Sequence, residues 1–91
     1  MYAVVVHEAG DAEAISASAQ HLEANVIPAV RRAPGIVSAV YMTDGLGRAL
    51  SLFLFENEDA ARGAVERIRT APRPGFIHVE SVEPFAVLAH F

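Results

Sequence analysis

Three stretches of this chain are apolar on both sides of any strand they could form. Tyr2–His7 carries Val4, Val5 and Val6 in succession, and Leu50–Phe55 reads Leu-Ser-Leu-Phe-Leu-Phe. Side chains alternate across a strand. Val4 and Val6 therefore oppose Val5, and Leu50, Leu52 and Leu54 oppose Phe53 and Phe55. In the last stretch Phe85 and Val87 oppose Ala86 and Leu88. Such strands are buried on both faces, so whatever sheet they build needs two covers. A chain of 91 residues makes one domain, residues 1–91, because a split would leave two halves without a core.

The segments between the strands supply one cover. Gly10-Asp11 ends the first strand, with Asp11 placed to cap a helix. From Asp11 to Ala33 the residues Ile15, Leu22, Val26, Val30 and Ala33 fall on one helical stripe. Pro28 interrupts it and predicts a kink or a second helical segment. Pro34-Gly35 stops the helix, and Ile36–Thr43 is a second strand, with Val37, Ala39 and Tyr41 on one face and Ile36, Val40 and Met42 on the other. Asp44-Gly45-Leu46-Gly47 is a hairpin turn into the third strand. Asn57 is placed to cap a second helix, with Glu58 and Asp59 in its first turn and a stripe of Ala61, Ala64, Val65 and Ile68. After the loop Pro72-Arg73-Pro74-Gly75, Phe76–Phe91 reads as a long final strand, interrupted at Pro84, which calls for a bulge or a sheet edge.

The order is β-α-β-β-α-β, an α+β, ferredoxin-like pattern: a four-stranded antiparallel sheet with two helices on one face. Strands one and three belong at the centre and the Pro84 strand at an edge. Two helices cover one face. Leaving the other wet would cost about 10 kcal/mol, comparable to the stability of a whole domain. A second copy packed sheet to sheet removes that cost, so the sequence predicts a homodimer. Phe85–Phe91, too apolar for a frayed tail, is expected to leave its own sheet at Pro84 and contact that partner, with Phe85 and Val87 as anchors.

Composition narrows the function classes. There is no Cys, hence no disulfide, thiolate ligand or thiol nucleophile. A net charge of −4, with no Lys, argues against nucleic acid. The β-α-β-β-α-β order is shared with RNA-recognition domains, but the stacking rings would have to stand at Leu50 and Leu52. No apolar stretch is long enough to span a membrane. Met1-Tyr2-Ala3-Val4 lacks a basic n-region, which predicts a cytoplasmic chain without a signal peptide.

The run Asn25-Val26-Ile27-Pro28-Ala29-Val30-Arg31-Arg32-Ala33-Pro34-Gly35-Ile36-Val37-Ser38 resembles the helix-to-strand junction of the dimeric α/β-barrel superfamily, which includes the antibiotic-biosynthesis monooxygenase-like proteins. Members have a Pro-containing first helix, a Pro-Gly before the second strand and a C-terminal strand that crosses to the partner. The resemblance thus implies a dimeric α/β barrel. Its cofactor-free quinone-forming and haem-degrading members use Asn and Trp, with His or Tyr, between sheet and helices. This chain has no Trp.

Two candidates for chemistry follow. His7 ends the first strand, where it is expected to point into the cleft between sheet and helices as a general base. Asn25, one helical turn from His21, is placed to present an amide to a bound carbonyl. Tyr41, Phe53, His21 and Arg48 are expected to line or flank the same pocket. The ordinary alternatives are a solvated strand-end His7, a helix-boundary Asn25, core aromatics and a solvated turn Arg48. The histidines His7, His21, His78 and His90 have no metal-ligand spacing, so no metal site is expected. No cofactor is expected either. Without Trp or an acid/base pair, the residues favour a binding or structural homodimer with a pocket for a small apolar or aromatic ligand. A cofactor-independent monooxygenase or isomerase acting on an aromatic or polyketide-like molecule is the alternative.

Overall fold

A computed structural model describes residues 1–91. Strand β1 (Tyr2–Gly10) is followed by short helical segments α1 (Ala12–Ser16) and α2 (Ala19–His21), a π-helical turn (Leu22–Val26) and α3 (Ile27–Val30). Then come β2 (Ile36–Thr43), β3 (Arg48–Phe55), α4 (Glu58–Thr70) and β4 (Ile77–Ala86). The four strands form one antiparallel sheet in the order β2-β3-β1-β4, with β3 and β1 at its centre and β4 at an edge. No helix is long and apolar enough to cross a membrane.

Both helix starts are set by side chains. Asp11 accepts from the Ala14 N–H at 2.8 Å, and Asn57 accepts from the Ala60 N–H at 2.9 Å, satisfying donors that have no partner inside the helix. The first helical region is more broken than its stripe suggests. Ser18 donates its hydroxyl to the Ile15 carbonyl at 2.6 Å, a bond that competes with the helix ladder. Pro28 has no N–H, and its ring crowds the carbonyl four residues back. The chain widens into the π-turn just before it, and the Ile27 N–H reaches the Leu22 carbonyl.

One face of the sheet, the inner face, packs on α4. Val4, Val6, Phe53, Phe55, Ala61, Ala64, Val65 and Val82 form the buried cluster. The strands follow the predicted alternation except at two irregularities. Between Ile36 and Ser38 the β2–β3 register slips, so Val37 is spare and Ile36 joins Ala39 and Tyr41 on the inner face. This corrects the predicted grouping of Val37 with Ala39 and Tyr41. Between His7 and Glu8 the β1–β4 register slips past Glu80. The ladder runs through Pro84, which sits opposite Val4, to Ala86 opposite Tyr2. Pro84 therefore occupies the edge strand without breaking it, and the chain leaves the sheet after the Val87 N–H bonds Met1.

The outer face carries no helix. Val40, Met42 and Phe85 are 48%, 43% and 50% exposed there, alongside half-buried Val5, Leu50 and Leu52. Beyond the ladder, Leu88 and Phe91 are fully exposed. Core and surface should respond differently to truncation. Phe55→Ala, at a side chain 2% exposed, should cost about 3–5 kcal/mol in denaturant unfolding, whereas Leu46→Ala, at 85% exposure, should change the midpoint little.

Candidate functional site

Sheet and helices do not meet everywhere. The inner face near the ends of β1 and β2 is bridged by the irregular region from Ser18 to Val30 and by the loop Ala71–Phe76, and an apolar cavity of about 270 Å³ remains between them. Leu22, Val26 and Val30 wall it from the helical side, Val6 and Phe53 from the sheet, and Ile68 from the end of α4. An adjoining hollow of about 190 Å³ shares Glu8, Ser18, Leu22, Tyr41 and Ser51 with it.

The polar atoms cluster at one end. Glu8 follows Val6 on the inner face, two residues on, and Arg73 from the loop donates its Nε to Glu8 Oε2 at 2.8 Å. Their side chains are 14% and 19% exposed, and 65 residues separate them in sequence. The Arg73 Nη1 donates to the carbonyls of Ile68 and Ala71 at 2.8 and 3.0 Å. One guanidinium thus ties the last turn of α4, the loop and β1 together. The other ion pairs (Asp44–Arg48, Glu58–Arg62 and Glu66–Arg69) are three or four residues apart and largely exposed, a class that contributes little to stability.

Tyr41 completes the polar end. Its ring stands edge-on to Phe53, with centroids 5.6 Å apart and planes at 85°, which fixes its direction. Its hydroxyl is buried and has no hydrogen-bond partner. Burial first, and the charge of Glu8 second, push the phenol pKa up to about 12. The hydroxyl therefore keeps its proton and is a donor without an acceptor. Leaving such a group unsatisfied costs about 1–3 kcal/mol.

His21 lines the cavity at its exposed rim, and the Asn25 amide Nδ2 donates to His21 Nδ1 at 3.2 Å. Asn25 is exposed and is not part of the wall, so its amide orients the imidazole instead of facing the cavity. Phe53 and Tyr41 are in the wall. His7 is not. It alternates with Val6 and so lies on the outer face, opposite Leu50, in a shallow hollow with Met42, Arg48 and Glu80. The expectation that His7 enters the helix-side cleft is corrected by this alternation. Arg48 is displaced for a different reason. Asp44 accepts from the Leu46 and Arg48 N–H groups at 2.7 and 3.0 Å and from the Arg48 Nε at 3.0 Å, which holds the arginine at the hairpin. Those same bonds, the two backbone ones foremost, hold the Asp44 carboxyl below its usual range. No cluster of three or more metal-ligating side chains occurs.

The residues that sequence reasoning passed over are Glu8 and Arg73. The signal for Glu8 was present: a carboxylate in step with Val4 and Val6 falls on the buried face of a strand. Arg73 carried none, because its partner lies at the other end of the chain.

No protein-family profile matches this sequence, and no curated protein does. Solved structures do match. The haem degrader MhuD of Mycobacterium tuberculosis, with two haems bound in its active site, superposes with a TM-score of 0.71 at 16% identity over 100% of this chain and 99% of its own. A monooxygenase from the gene ActVA-Orf6 of Streptomyces coelicolor, in complex with the ligand Nanaomycin D, gives 0.64 at 16% identity over 99% of this chain and 89% of its own. This chain shares the fold of these proteins, a ferredoxin-like α+β sheet with its helices on one face. A mutant of MhuD with two manganese protoporphyrin IX molecules per active site matches as well, at 0.63 and 15% identity over 100% and 98% of the two chains.

A haem does not fit the residues found here. The cavity falls just below the roughly 300–1,000 Å³ of ordinary small-ligand pockets, a tetrapyrrole exceeds it, and its inner end offers a carboxylate and a phenol. The imidazole in the wall, His21, stands at the exposed rim.

Two measurements check the site. Arg73→Ala strands a largely buried carboxylate and should cost about 3 kcal/mol in stability, whereas Arg48→Ala at the exposed hairpin should cost under about 1 kcal/mol. The folded state also holds the Tyr41 proton more tightly than the unfolded chain. This group's contribution to stability is complete below its ordinary pKa of 10.0 and is lost as the pH rises towards 12. In an alkaline titration followed by tyrosinate absorbance, Tyr41→Phe should remove the latest-ionising phenol and delay alkaline unfolding.

Proposed function

We propose that two copies of this chain pack outer face to outer face, and that each holds a small, largely apolar ligand in the cavity between sheet and helices. The observation that carries the ligand is the apolar cavity, open at its His21 rim, that Tyr41 lines with its hydroxyl buried and unpaired. A cavity kept only for packing has no use for a buried donor pointed at nothing. The dimer is supported by the uncovered face on which Val40, Met42 and Phe85 stand about half exposed. The last residues, with Leu88 and Phe91 bare, are read as lying on the partner, departing after Val87 instead of at Pro84.

A second reading is catalytic: oxygenation of such a ligand without a cofactor. It draws on the Tyr41 hydroxyl beside the Glu8 carboxylate, and on the fold shared with the ActVA-Orf6 monooxygenase. The balanced reaction would take a phenol and O₂ to a quinone and water. In this reading Tyr41 would hold the ligand oxygen and Asn25 would orient His21 at the rim. His7 lies across the sheet from the cavity, so His7→Ala should leave turnover unchanged.

Native mass spectrometry of freshly purified protein tests both halves of the proposal. It should report a dimer with one small molecule retained per chain. Sedimentation should agree, with an interface burying more than about 1,200 Å² in total, and deleting residues 87–91 should weaken the dimer. A folded monomer at micromolar concentration would overturn the dimer. A chain that takes up no apolar probe would overturn the ligand.

A further inference from the structure

Resting on the ligand cavity proposed above, we infer that its polar end, formed by Tyr41, Glu8 and Arg73, selects an uncharged ligand carrying a hydrogen-bond-accepting oxygen and turns carboxylates away. The argument has three parts. The first is the orphan donor. The Tyr41 hydroxyl is buried without a partner, and its ring is held by the edge-on contact with Phe53. A ligand oxygen that accepts from it recovers the penalty of the unsatisfied group, once a side chain of the wall shifts enough to let that oxygen reach the buried hydroxyl.

The second is charge. Among the side chains lining the inner end, Glu8 and Arg73 carry opposite charges and neutralise each other through the 2.8 Å contact. The guanidinium is further committed to the Ile68 and Ala71 carbonyls. An incoming carboxylate would therefore enter an apolar cavity with no free cation to receive it, beside a carboxylate already there. Burying an unpaired charge is far costlier than burying a carbonyl. His21, the remaining titratable group in the wall, is at the exposed rim with Asn25.

The third is size. An engineered apolar cavity of about 150 Å³ takes up benzene, so the larger volume here suits a substituted single ring or an aliphatic molecule of similar bulk. A ketone, ester or ether on such a skeleton meets all three conditions.

Acetophenone, isopropylbenzene and benzoate separate these terms, because they have similar bulk and differ in the acceptor and the charge. Their binding to the full chain would be followed by ligand-observed NMR and calorimetry. Acetophenone and isopropylbenzene should both bind, and benzoate should not. Tyr41→Phe should weaken acetophenone by about fivefold to tenfold, the value of one hydrogen bond to a buried donor, and leave isopropylbenzene unchanged. Glu8→Gln should admit benzoate, because the Arg73 guanidinium then lacks its anion. A merely structural pair would not produce that gain. Should Glu8→Gln fail to fold, the Tyr41→Phe comparison and benzoate binding to the native chain still decide. Benzoate binding the native chain as well as acetophenone, or Tyr41→Phe weakening both neutral probes alike, would overturn the selectivity. If isopropylbenzene does not bind either, the cavity reading itself falls and this inference falls with it.

Discussion

The inner and outer faces of the sheet are both apolar, while all the helices lie on one side. Every strand alternates around that fact. Val4, Val6, Phe53 and Phe55 send their bulk to α4, and β1 and β3 contribute Val5, Leu50 and Leu52 to the other side. The helix side buries enough to hold the chain together. It also decides where the cover is thin: α4 packs closely through Ala61, Ala64 and Val65, whereas the region from Ser18 to Val30 is broken into turns and leaves space beneath it. The cavity is a consequence of a continuous sheet lying under a discontinuous helix.

The discontinuity has local chemical causes. Ser18 takes a helix carbonyl for its own hydroxyl, and Pro28 cannot donate, so regular turns give way to a π-turn at Leu22–Val26. π-turns inside helices are frequent at functional sites, and here Leu22 and Val26 of that turn are cavity wall. The opposite wall is held by a different force. The loop Ala71–Phe76 is largely exposed apart from Arg73 and Phe76, and Arg73 fastens it to the sheet through Glu8 and to α4 through the Ile68 carbonyl. A buried ion pair contributes little net stability compared with an apolar substitute, but removing one partner is costly. Its value in this fold is positional. The same contact that seats the loop neutralises the one carboxylate on the inner face.

How much of this could be read from the sequence depends on the range of the interaction. Helix starts at Asp11 and Asn57, the central placement of β1 and β3, and the edge position of the Pro84 strand are set by a few adjacent residues or by their apolar content, and they were legible. The faces of individual residues were legible only between irregularities. The slip at Val37 reversed the grouping in the first residues of β2, and reading β1 as ending at His7 hid that Glu8 continues the Val4–Val6 face. A period of two sends neighbouring residues to opposite sides, so assigning the cleft to His7 and not to Glu8 exchanges an outer-face imidazole for an inner-face carboxylate. The pair between Glu8 and Arg73 was beyond local reading altogether, since it exists only once the last loop has come back over the first strand.

The location of the polar groups bears on what kind of site this is. Glu8, Arg73 and Tyr41 come from β1, the loop before β4, and β2, and they share one end of a cavity whose other walls are mostly aliphatic and aromatic carbon, with Ser18, Ser51 and the rim His21 as the further polar side chains. Glu8 and Arg73 satisfy each other. Tyr41 satisfies nothing, yet the Phe53 contact keeps its ring fixed, and burial, with the nearby Glu8 charge second, keeps its proton in place. A hydroxyl at that position is disfavoured in the empty protein, where phenylalanine would pack as well without the desolvation cost. That cost is recovered when an acceptor enters, and this difference between the empty and the filled state is the physical basis for reading the cavity as a binding site instead of a packing defect.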